Sequence, residues 1–98
     1  MAETFGCTPW ATAKVTGATG VATMAKGCAT ATTGAGVYTI TLDKLLDATE
    51  RNAQVTCRGG AFICRTVDTS DTVITVNTYD DTGAAANCDF DIMIERCI

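Results

Sequence analysis

The sequence predicts an all-β protein: an antiparallel β-sandwich or jelly-roll-like barrel of about seven or eight strands, preceded by an extended N-terminal arm. Three observations predict it. Thr is the commonest residue and alternates with Val and Ile in short runs such as Thr72-Val73-Ile74-Thr75-Val76. Such β-branched side chains suit a pleated, half-buried surface and lose rotamer freedom in helices. Segments with a two-residue period recur at intervals of roughly ten residues with turn chemistry between them, the spacing of a sandwich or barrel. The one proline, Pro9, stands near the start, where it interrupts no ladder.

Residues 1–10 lack a usable period and contain Gly6 and Pro9, so they read as the arm, with Phe5 and Trp10 as its large apolar groups. Residues 11–98 read as a single domain, since 98 residues are too few for two independent cores. From Ala11 the period is two: Ala11, Ala13 and Val15 alternate with Thr12, Lys14 and Thr16. Residues 17–20 read as a turn. Weaker strands follow at 21–26 and 28–32, parted by Gly27, and residues 33–36 form a turn or loop with two glycines. Tyr38, Ile40 and Leu42 then share one strand face. Asp43 is a candidate cap for a single helical turn over 43–47. Ala53 to Arg58 resumes alternation with Val55 and Cys57 on the apolar side, and Gly59-Gly60 reads as a hairpin leading to a strand over 61–67. A polar turn over 68–71, a strand over 72–79 and a loop over 80–87 come next. The last segment carries the strongest signal, with Phe90, Ile92, Ile94 and Ile98 on one face and Asp89, Asp91 and Glu95 on the other.

Composition bounds the chemistry. The hydrophobic fraction of 47% sustains a packed core, but much of it is Ala and only 6% of the chain is aromatic. A core so thin gains from assembly or covalent ties. The net charge of −4, with basic residues scattered from Lys14 to Arg96, offers no phosphate-tracking patch, so no nucleic-acid partner is expected. No apolar stretch approaches a membrane span, and the opening residues lack the pattern of a secretion leader, so synthesis in a cytoplasm is expected.

No catalytic residue is assigned. Without His the commonest general base is missing, and Asp89 and Asp91 share only the spacing of any solvated strand face. Asp80-Asp81-Thr82-Gly83 lacks the alternate ligands and closing Glu of a calcium loop and reads as a turn held by Asp side chains. Gly34-Ala35-Gly36 opens a strand, so it makes no phosphate loop. No cofactor or metal site is expected: the six cysteines Cys7, Cys28, Cys57, Cys64, Cys88 and Cys97 form no C-x-x-C pair. Cys88 and Cys97 lie on one expected strand about 30 Å apart, too far for a bond within one copy. Cys57 and Cys64 face each other if the hairpin turns at Gly60-Ala61, and miss each other if it turns at Gly59-Gly60. Cys7 and Cys97 are candidates for bonds between chains, the alternative being small buried thiols.

Three stretches carry a resemblance: Lys14-Val15-Thr16-Gly17; the strand from Gly34-Ala35-Gly36 through Val37-Tyr38-Thr39-Ile40-Thr41-Leu42; and Tyr79-Asp80-Asp81-Thr82-Gly83-Ala84-Ala85-Ala86-Asn87-Cys88-Asp89-Phe90-Asp91-Ile92. Together they resemble the small capsid decoration (cement) proteins of tailed bacteriophages, and the last is also similar to the sandwich heads of phage fibres. The resemblance implies a non-enzymatic virion protein on the capsid exterior, a homotrimer whose partner is the major capsid protein. An arm bearing Phe5, Pro9 and Trp10 fits contact with such a partner, the alternative being that Phe5 and Trp10 fold back onto the chain's own sandwich. Two other classes are a receptor- or glycan-binding fibre head, with Tyr79 beside the 80–87 loop as its platform, and a small disulfide-stapled exported domain.

Overall fold

A computed structural model describes residues 7–58 and 62–97 of the chain. It contains eight strands, β1 (Cys7–Val15), β2 (Ala22–Lys26), β3 (Cys28–Gly34), β4 (Val37–Leu42), β5 (Arg51–Cys57), β6 (Ile63–Asp68), β7 (Val73–Tyr79) and β8 (Phe90–Cys97). They form two four-stranded antiparallel sheets, ordered β2-β1-β8-β5 and β3-β4-β7-β6. The hairpins β1–β2, β3–β4 and β6–β7 each stay within a sheet, and every other connection crosses between sheets.

Alternation places the core. Ala11, Ala13 and Val15 of β1 and Phe90, Ile92 and Ile94 of β8 line the inner face of the first sheet. Tyr38, Ile40 and Leu42 of β4, with Ile74 and Val76 of β7, line that of the second. The two sets pack into one apolar cluster, in which the Tyr38 and Phe90 rings meet edge-on with centroids 5.0 Å apart. Leu46, from the β4–β5 connection, joins this cluster while its neighbour Leu45 is 66% exposed.

Four elements differ from the sequence expectation. First, β1 begins at Cys7 rather than Ala11. Cys7, Thr8 and Pro9 pair with Cys97, Arg96 and Glu95 of β8, and the register then slips so that Ala11 meets Ile94. Trp10 is the extra residue of this bulge, and the phase change hides the strand from a period-two reading. β2 pairs only with residues 12–15, so Pro9 lies where β1 has a single neighbour. Second, the helical turn falls at Ala48–Glu50, a 3-10 turn capped by Asp47 rather than Asp43.

Third, β5 and β6 are not a hairpin. β5 pairs with β8 and β6 with β7, so the chain crosses from one sheet to the other between them. Gly59, Gly60 and Ala61, on which the two turn readings rested, lie outside the described residues, as does Ile98. Cys57 and Cys64 are joined by a disulfide, and it links the sheets rather than spanning a ladder. Fourth, Cys7 and Cys97 are bonded to each other within one chain instead of serving as thiols between chains. The β1–β8 register sets them directly opposite, with Cα atoms 4.1 Å apart.

The Cys7–Cys97 bond closes a loop with a sequence separation of 90. Replacing both residues by Ser is expected to lower the unfolding free energy by about 2–5 kcal/mol in urea titrations. The wild-type chain is expected to run at its own subunit mass on denaturing gels with and without reductant.

Candidate interaction surface

Trp10 stands at one end of the sandwich, turned toward the core by the bulge and half-buried against it. Its indole Nε1 donates to the Lys44 carbonyl at 3.3 Å. Open depressions of about 360 and 330 Å³ flank the ring, one bounded by Pro9, Asp43 and Lys44, the other by Lys26 and Met93. Gly27 makes the approach of the β2–β3 connection to Trp10 possible. At its φ of +78° a Cβ would lie 2.7 Å from the Trp10 carbonyl oxygen. Trp10 therefore belongs to the sandwich and still presents a face outward. Pro9 beside it is exposed, and Phe5 lies outside the described residues.

A second surface runs along the adjoining edges of the two sheets. β2 and β3 are the free outer strands of their sheets on this side, and most of their residues are exposed. Small Ala and Thr side chains dominate them, Lys26 is their one charge, and Met24 and the neighbouring Val21 are 57% and 60% exposed. The opposite edges, β5 and β6, are tied together. The Cys57–Cys64 bond joins them at one end. At the other, Arg51 gives both Nε and Nη2 to Asp68 Oδ1, at 3.1 and 2.8 Å, and Nη1 to the Leu46 carbonyl. The Arg51 side chain is wholly buried in this arrangement.

The far end of the sandwich is a knot of polar groups around the β1–β2 turn and the segment before β8. The Gly17 N–H donates to Asp89 Oδ1 at 2.7 Å, and the Tyr38 hydroxyl donates to the Gly17 carbonyl at 2.8 Å. Arg58 Nη2 donates to the Val15 carbonyl at 2.8 Å, and its Nε lies 2.9 Å from Asp91 Oδ1, paired by charge without an aligned hydrogen bond. Here the sulfurs of Cys57, Cys64 and Cys88 all lie within 4.8 Å of one another. Sequence reasoning weighed Cys88 only against Cys97. No spacing signal brings it to Cys57 and Cys64, because the meeting depends on three separate elements ending at one place. Burial pushes the Cys88 thiol above its ordinary value, with Asp89 adding to the shift against the opposing effect of Arg58. Cys28 is also raised, by burial and then by Asp43.

In the 80–87 loop, Asp80 Oδ1 accepts from the Thr82 hydroxyl at 2.6 Å and from the N–H groups of Thr82 and Ala84 at 2.9 and 3.0 Å. These bonds, the hydroxyl's first, hold the Asp80 carboxyl below its ordinary value. Tyr79, half-buried, bridges to Ala85 of the same loop. Among the described residues no helix is long and apolar enough to cross a membrane. No family model, curated protein or solved structure matches the chain.

Two outcomes follow from this geometry. Gly27→Ala is expected to cost about 1–3 kcal/mol through its positive φ and the close Trp10 backbone, read by chemical denaturation. For Asp80, the folded value is depressed below the unfolded one, so its stabilisation is present above the unfolded carboxylate range and is lost as pH falls through the folded value. Wild type is expected to unfold at a higher temperature than Asp80→Asn above about pH 4, the gap closing in stronger acid. Thermal melts across the acid range check this.

Proposed function

We propose that the chain is a virion structural protein, a capsid decoration protein that assembles as a homotrimer and binds the outside of the shell, stabilising contacts between major capsid subunits. The observation that carries the reading is the unequal treatment of the sheet edges. On the β5–β6 side a disulfide and a buried arginine tie the edges together. On the β2–β3 side both edges are unpaired, small-residue and nearly uncharged. Monomers usually blunt such edges with charge, proline or a covering element, because an unpaired strand recruits another. A closed ring of copies satisfies them without unlimited growth.

Trp10 supports the second half of the reading. A half-exposed indole held by a bulge and a hydrogen bond, between shallow depressions and next to Met93 (40% exposed), offers an anchor of the kind that dominates protein interfaces. Three weak anchors on one trimer bind firmly, because the second and third contacts become intramolecular.

Native mass spectrometry is expected to give a trimer, and the protein is expected to add to undecorated shells of its phage and raise their disruption temperature. Trp10→Ala is expected to weaken shell binding at least about tenfold. Met93→Glu, which places a charge at the rim of the same depression, is expected to act in the same direction. A monomer at high concentration, or glycan binding with no shell binding, overturns the reading.

A further inference from the structure

We propose that Cys57, Cys64 and Cys88 form a thiol–disulfide exchange site, in which the buried Cys88 thiol trades places with either partner of the Cys57–Cys64 bond. The three sulfurs lie mutually within 4.8 Å although they come from the end of β5, the start of β6 and the segment before β8. Two are bonded and the third is a free, buried thiol. Cys88 is not placed there by a loose loop. Its N–H donates to the Tyr38 hydroxyl, and Gly17 packs so tightly on its backbone that a Cβ there would lie 2.5 Å from the Cys88 carbonyl carbon. The attacking group is thus held beside the bond it attacks, and holding reacting atoms together supplies much of the rate of an intramolecular reaction.

The step balances within the chain. Cys88 gives up its proton to solvent, and the thiolate attacks Sγ of Cys57 or Cys64. A new sulfur–sulfur bond forms, the Cys57–Cys64 bond breaks, and its electron pair leaves on the displaced sulfur, which takes up a proton. The count of disulfides is unchanged, so neither oxidant nor reductant is consumed. The consequence is positional. Cys88 is buried, whereas Cys57 and Cys64 are half-exposed. Beside Cys88 an open depression of about 360 Å³, bordered by Ala18, Arg58 and Phe62, gives solvent and small disulfides a way in. Exchange therefore moves the free thiol from a buried position to a partly buried one.

Trypsin cuts after the seven Lys and Arg residues and leaves the six cysteines on six different peptides, so the pairing is directly readable. The wild-type protein and the single variants Cys64→Ser, Cys57→Ser and Cys88→Ser are folded with oxidised and reduced glutathione, quenched in acid, alkylated and mapped by mass spectrometry. In Cys64→Ser, peptide 52–58 is expected to be joined to peptide 66–96, leaving Cys28 as the one alkylated thiol. In Cys57→Ser, peptide 59–65 takes the same partner. Wild type held at about pH 9 is expected to yield both Cys88-linked pairs beside the Cys57–Cys64 pair, as thiolate formation permits. Cys88→Ser is expected to yield the Cys57–Cys64 pair alone. Single variants that leave their two remaining sulfurs alkylated alongside Cys28, or a wild-type map that stays at one pairing, overturn the proposal. If one single variant does not fold, the other and the wild-type map decide it.

Discussion

The buried Tyr38 side chain joins the two levels on which this molecule is organised. Its ring is fully enclosed and meets Phe90, the first residue of the central strand β8. Its hydroxyl cannot be left unpaired in such surroundings, since a buried polar group without a partner is costly. It donates to the Gly17 carbonyl and accepts from the Cys88 N–H, with Asn87 Oδ1 also 3.2 Å away. One side chain thereby ties the apolar stack to the β1–β2 turn and to the segment entering β8. The position of Cys88, and with it the meeting of three sulfurs, follows from the core rather than from the composition of a loop.

The core itself is modest. Ala11 and Ala13 fill the inner face of β1, where larger side chains would remove more apolar area from water. Covalent and ionic ties make up part of the difference. Cys7–Cys97 locks the start of β1 to the end of β8, Cys57–Cys64 and Arg51–Asp68 lock β5 to β6, and Glu50 receives Arg96 at 2.9 Å. The last pair is well exposed and contributes little, whereas the Arg51 guanidinium is buried and bonded to a carbonyl as well as a carboxylate. Two of these ties join β5 to β6, and none of the four involves β2 or β3.

How far the sequence could be read follows from what alternation encodes. Strands β4 and β8 each put one clean face into the core, so Tyr38, Ile40, Ile92 and Ile94 were legible from period alone, whereas the mixed run of β7 left the side of Ile74 unassigned. Period does not say which sheet a strand joins. Gly59-Gly60 is a local hairpin signal, yet β5 finds its partner in β8 and β6 in β7, and the long-range pairing prevails over the local preference. Trp10 was legible as an aromatic seeking a partner, but not as a strand residue, because the bulge puts Trp10 and Ala11 consecutively on the inner side. Asp43 and Asp47 are equally plausible caps by residue type. Leu46 decides between them by entering the core, which places the helical turn after it. The Cys7–Cys97 bond was out of reach because it requires the β1–β8 register.

Which bond the three-sulfur site holds bears on the closed side of the sandwich. Cys57 belongs to β5, in one sheet, and Cys64 to β6, in the other, so their bond is a covalent tie between sheets. Cys88 leads into β8, in the same sheet as β5. A Cys64–Cys88 bond therefore keeps the sheets joined, whereas a Cys57–Cys88 bond stays on one side and leaves Arg51–Asp68 as the principal link along β5 and β6. The two exchange products are thus mechanically different even though each contains the same number of disulfides. The first frees Cys57 with the edge still locked. The second frees Cys64 and leaves β5 and β6 joined through Arg51–Asp68, so the identity of the leaving sulfur decides whether a covalent link between the sheets persists at this site.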